Sequence, residues 1–213
     1  MKNIILLVLA LTVCVGVLFA QPVYGVRAGL NISTIGGEDD MDGIDSKIGA
    51  NFGGMLQFPV ATSIIFQPEL LYTMKGAKSE YTDIEDGYTY TAKMTDSYNY
   101  LEIPLLFKYN VETPSMKIQP FIGPSVGILI GANSNTEVTM AGISASADTD
   151  IKEYMNTLEL GLNLGADVVM MKNIMLGVRY NLGLSNIYKE QEGYQSKVKN
   201  RVIMINLGYL FGK

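Results

Sequence analysis

Ile203-Met204-Ile205-Asn206-Leu207-Gly208-Tyr209-Leu210-Phe211 sets Ile203, Ile205, Leu207, Tyr209 and Phe211 on one face and Met204, Asn206 and Gly208 on the other. A period of two marks a β-strand with one apolar side. Working outward from it, the same alternation predicts strands over 24–33, 47–58, 64–75, 98–109, 116–131, 157–168 and 174–187. The segment 157–168 is the purest, with Leu158, Leu160, Leu162 and Leu164 opposite Glu159, Gly161, Asn163, Gly165 and Asp167. Connections 59–62, 111–115 and 170–173 are tight, whereas 34–46, 76–96, 132–150 and 188–198 are long, polar and rich in Gly, Ser, Thr and Asp. An even set of amphipathic strands with short turns on one side and long loops on the other predicts an all-β chain. Its form would be an eight-stranded antiparallel up-and-down transmembrane β-barrel. With eight strands, the first then begins and the last ends on the short-turn side.

The first residues read differently. Lys2 is followed by an apolar run over 4–17 and then Leu18-Phe19-Ala20, the make-up of a secretory signal peptide cut near Ala20. The run is shorter than the roughly 20 residues of a spanning helix. Val13 is too bulky for a good lipobox before Cys14, so the cysteine is read as leader filler and 21–213 as one barrel domain without a disulfide. A net charge of −5 argues against nucleic acid, which needs basic patches. The chain has no histidine, the commonest general base and metal ligand. No catalytic residue, metal or cofactor is therefore expected.

Periodicity leaves open whether the apolar face points inward, as in a soluble lipocalin-type barrel, or outward to lipid. The other face is rich in Gly, Asn, Gln, Glu and Arg, which suits the narrow lumen of eight strands. Phe58, Tyr109 and Tyr209 fall at the short-turn ends, where an aromatic girdle belongs. Pro68, Pro120 and Pro124 strain any strand reading and suggest bulges or rim positions, two of them with lipid-facing parity. Outer-membrane lipid is the expected surround.

Arg27, Glu69, Glu102, Lys108, Asp167 and Arg179 share the inward parity. An Arg or Lys facing hydrocarbon at mid-bilayer costs about 2–4 kcal/mol, so these six are expected inside as a salt-bridged plug. The alternative is a small ion-conducting or lipid-modifying barrel that uses inward carboxylates such as Glu69 and Glu102. In the first long loop, Glu38, Asp40 and Asp42 imitate the start of a calcium loop, but Gly49 stands where the closing Glu would be. Tyr81, Tyr88 and Tyr90 offer either a contact surface for a protein partner or surface ligand or, the favoured reading, loop packing and an upper aromatic girdle.

Several runs resemble a known family. Phe66-Gln67-Pro68-Glu69-Leu70-Leu71-Tyr72 with Lys75-Gly76, and Asn99-Tyr100-Leu101-Glu102-Ile103-Pro104-Leu105-Leu106, resemble the PorT-type outer-membrane β-barrel domain of Bacteroidota. So do the run from Gly177 to Ile187 and Lys199-Asn200-Arg201 before the last strand. The resemblance covers essentially the whole chain after the leader. It implies an integral outer-membrane barrel of OmpA or OmpX size, in a family whose founding member is linked to secretion and gliding. Such barrels usually end in an aromatic residue; here Phe211 is followed by Gly212-Lys213.

Overall fold

The computed structural model describes residues 21–37, 43–85, 88–189 and 197–211. The proposed leader, the Glu38, Asp40 and Asp42 set and the two C-terminal residues lie outside the described residues. The strands are β1 Val23–Gly36, β2 Ile44–Ala61, β3 Ile64–Glu85, β4 Tyr88–Tyr109, β5 Val111–Glu112, β6 Met116–Met140, β7 Ile143–Asp150, β8 Leu158–Met170, β9 Ile174–Gly183 and β10 Lys199–Phe211. Antiparallel pairing runs β1–β2–β3–β4–β6–β8–β9–β10 and returns from β10 to β1. Eight strands thus form a closed ring; β5 and β7 are short additions to β6. Closure satisfies every wall strand on both sides, the condition for crossing hydrocarbon.

The ring turns its apolar side outward. Leu30 and Ile48 are 59% and 72% exposed, alongside Phe52, Leu70, Leu160 and Ile205, while Arg27, Glu69, Lys108 and Arg179 are buried. The orientation left open by periodicity is therefore the lipid-facing one. Phe58, Phe66 and Phe107 form a chain with ring centroids 6.5 and 5.1 Å apart, and Tyr209 lies 5.1 Å from Phe211. Together with exposed Tyr24 and Tyr109 they circle the short-turn end, where an aromatic belt would meet the interface. All three prolines, rather than two, take outward positions, and the β2–β3 and β4–β6 ladders pass over Pro68 and Pro124.

Three expectations need correction. Segments 76–96 and 132–150 are largely strand, not loop. β3 runs to Glu85 and pairs up to that residue with β4, which begins at Tyr88, and β6 runs to Met140 and returns as β7. The cause is an inversion of polarity at the rim. Within the wall the outward residues of β4 are Leu101, Ile103, Leu105 and Phe107; above it they are Thr95, Lys93 and Thr91, and the apolar residues Met94, Ala92 and Tyr90 move to the inward side. The period of two persists while its sign changes, so the composition reads as loop. Gly76 sits at this transition with φ +142°, where an added Cβ would lie 2.0 Å from the Asp96 carbonyl oxygen. Secondly, β9 ends at Gly183, short of 187.

Thirdly, the inward face is not polar throughout. At the loop end Tyr98, Tyr100, Leu129, Ala132, Met155, Ile187 and Val198 form a buried apolar cluster. At the turn end Met55, Val169, Met175 and Leu210 form another. The charged middle of the lumen lies between two apolar caps.

Candidate functional site: charged lumen and projecting sheet

Strand alternation aims Arg27 of β1, Glu69 of β3, Lys108 of β4, Asp167 of β8 and Arg179 of β9 at one level of the lumen. Arg27 Nη1 donates to Glu69 Oε1 at 2.6 Å, and its Nη2 reaches Asp167 Oδ1 at 3.3 Å. Arg179 Nη2 lies 2.9 and 2.8 Å from the two Glu69 oxygens, and Lys108 donates to Asp167. The rings add to this: Arg179 and Lys108 stand 5.3 and 5.5 Å from the centroid of Phe121. Cations over an aromatic face gain most where water is excluded.

Glu102 belongs to a second group, closer to the loop end. Lys75 Nζ is 3.3 Å from Glu102 Oε2, an ion pair without hydrogen-bond geometry, and donates to Glu159 Oε1 at 3.1 Å and Asn181 Oδ1 at 3.2 Å. Asn181 Nδ2 in turn donates to Glu102 Oε1 at 3.0 Å, and Asn200 Nδ2 to Glu159 Oε2 at 3.0 Å. Lys75 and Glu159 were missing from the sequence-derived set, although both carry the inward parity that selected the other six. The buried ion pairs draw on four cations, Arg27, Lys75, Lys108 and Arg179, and four carboxylates, Glu69, Glu102, Asp167 and Glu159. Their charges cancel, as buried charges must if they are to avoid a large desolvation penalty. Glu69 and Glu102 are held by different cations and do not form a carboxylate pair. Above them, Tyr98 Oη donates to Asp96 Oδ2 at 3.1 Å and lies 2.9 Å from Tyr188 Oη, fastening the cap.

Beyond the rim, β3, β4, β6 and β7 form a four-stranded sheet. Matched positions Tyr81, Ala92, Val138 and Ala145 share one face with Met94, Tyr90, Met140 and Ile143. The other face carries Thr82, Thr91, Thr139 and Ser144 in one row, with Glu80, Lys93, Glu137 and Ser146 below. Tyr81 and Tyr90 therefore lie on the apolar side, and Tyr88 opens β4 opposite Glu85 in the backbone ladder. Tyr81 donates to Asp83 Oδ2 at 3.0 Å, a bond that raises its phenol above the ordinary value. Ile143 is 77% exposed, and Tyr81, Met94 and Met140 are exposed with it. An apolar face standing clear of both bilayer and core is a contact surface in physical terms.

A family model described as an outer membrane protein beta-barrel domain matches residues 19–189. No curated protein matches the chain. Among solved structures, Ail of Yersinia pestis is similar over 90% of this chain and 99% of its own, at 12% identity and a TM-score of 0.45. OprG of Pseudomonas aeruginosa covers 91% and 98%, at 15% identity and a TM-score of 0.40. Neisserial surface protein A covers 88% and 97%, at 12% identity and 0.40.

Proposed function

The chain belongs to the outer membrane protein beta-barrel domain family and is an integral outer-membrane β-barrel; from that premise we propose that it is an interaction protein, working through its projecting sheet and loops on the cell exterior. In this reading residues 1–20 are the export leader and 21–213 the barrel. The PorT-type resemblance makes it an accessory of secretion or surface assembly, with a protein partner or surface ligand. The observation that carries the proposal is the contrast between its two candidate sites. The lumen charges are spent on one another beneath apolar caps, while the projection holds an exposed apolar face. No enzymatic role is assigned: the carboxylates of the charged lumen, Glu69, Glu102, Glu159 and Asp167, lie in ion pairs, and the chain has no histidine to serve as a base.

The test is to shorten 76–96 and 132–150 to tight turns and compare both proteins in native outer membrane. The trimmed barrel should still show heat-modifiable gel migration, because the wall pairings below the rim lie outside those residues and the upper cap gives up only Asp96 and Ala132, and should lose the protein that co-purifies with the intact chain. A trimmed protein that retains full activity in the cell would move the function to the wall or lumen.

A further inference from the structure

The structure assigns β7 a role as an open edge that takes up an extended basic segment of a partner protein as the next strand of the projecting sheet. This rests on the interaction reading above and names its mode and chemistry. Among the described residues β7 pairs only with β6, and all eight of its residues are exposed. In an antiparallel pair every second residue directs its N–H and C=O away from its neighbour, so one side of β7 presents a row of backbone donors and acceptors. Natural edges are usually blunted by charged side chains, lysine above all, by proline, a bulge or a short length; the charges of β7, Asp148 and Asp150, are confined to its rim end. β7 reads Ile143-Ser144-Ala145-Ser146-Ala147-Asp148-Thr149-Asp150, without lysine or proline, and its register with β6 is unbroken over that length. The small side chains at 144–147 leave the backbone accessible.

The flanking chemistry defines the occupant. On one face an incoming strand would continue the apolar rows of Val138 with Ala145 and of Met140 with Ile143. On the other it would meet Asp148 and Asp150, whose ladder partners Asn135 and Asn133 carry no neutralising charge. The complement alternates apolar residues with basic ones, the basic ones nearest the rim. A second copy fits poorly. Two barrels in one membrane, related by an axis along its normal, would align β7 with β7 in parallel but turn the second sheet over, so that the apolar row of one copy would continue into the polar, acid-bearing row of the other. The same acids disfavour phosphate-bearing lipid.

The probe is a fluorescein-labelled octapeptide, Lys-Val-Lys-Val-Thr-Val-Thr-Val, titrated against the full barrel in detergent micelles. Saturable anisotropy is expected, weakened by about tenfold or more when alternate peptide amides are N-methylated or when Ala145→Lys and Ala147→Lys protect the edge. Hydrogen exchange at β7 amides should be fast in the free protein and slowed by the probe. Absent binding, or binding indifferent to N-methylation, overturns the assignment. So does exchange already slow in the free protein, which would mean that the chain's own residues cover the edge. A dimer that dissociates in the double-lysine variant would give the edge to a second copy. If the double-lysine protein keeps the native co-purifying partner that hairpin trimming removes, strand addition fails while the interaction reading stands. If trimming removes nothing, the interaction reading itself fails.

Discussion

Glu69 is the residue on which two arginines converge, Arg27 from β1 and Arg179 from β9. Its environment is dry, with Arg179 only 1% exposed. Replacing Arg179 with leucine leaves carboxylate charge less compensated in a low-dielectric lumen. We expect a loss of about 3–5 kcal/mol in unfolding free energy, measured as a lower urea midpoint in lipid vesicles; an unchanged midpoint would contradict the plug. The contrast is Lys93, whose 3.4 Å pair with Glu80 is half exposed. Lys93→Ala should shift the same midpoint by about 0–1 kcal/mol. Inward parity marked Arg27, Glu69, Lys108, Asp167 and Arg179 in the sequence. It was silent on which cation meets which carboxylate, because partners such as Arg27 and Asp167 lie 140 positions apart. Shear of the ring, which residue spacing does not encode, decides those meetings.

At the scale of the element, the turn between β8 and β9 is strained. Met171 and Lys172 have φ of +49° and +69°, a left-handed conformation that costs a residue with a Cβ roughly 1–2 kcal/mol. Tight hairpins favour Asn-Gly for this reason. Met171→Asn with Lys172→Gly should raise the unfolding midpoint, by about 1 kcal/mol or more, with β8–β9 register unchanged; a lower midpoint would mean that the native pair makes contacts outweighing the strain. Wall strands were legible from one-sided alternation, and the tight connections from their position between such runs. The upper parts of β3, β4 and β6 were not. There Thr, Ser, Asn, Lys and Glu occupy the outward positions, and Tyr81, Tyr90 and Met94 turn inward, so a reader following a lipid-facing apolar stripe loses it at the rim. The caps were missed for a related reason: Val169, Met175 and Leu210 are apolar residues at inward positions, closing the lumen where a polar face was expected.

The whole molecule is a ring whose polar interior is closed above and below by apolar side chains. Eight strands leave room for side chains alone. Purified protein in planar bilayers should therefore show no stable conductance, and reproducible steps abolished by Glu69→Gln would establish an ion path instead. The same interior governs how the barrel comes into being. Arg27 meets Glu69 across 42 positions of chain and Asp167 across 140; Lys75 meets Glu159 across 84. Apart from the bond between Arg27 and Glu69, these contacts wait for β8 and β9, the latest parts of the sequence but one. A half-inserted sheet of β1 to β4 would carry Lys108 without Asp167, Lys75 without Glu159 and Glu69 without Arg179, with hydrocarbon in reach, a state the bilayer penalises heavily. Assembly is thus driven toward simultaneity: the early strands gain little by entering lipid before the late ones arrive, and the cell must hold the nascent sheet in a wet shelter until the last strand can lock against the first.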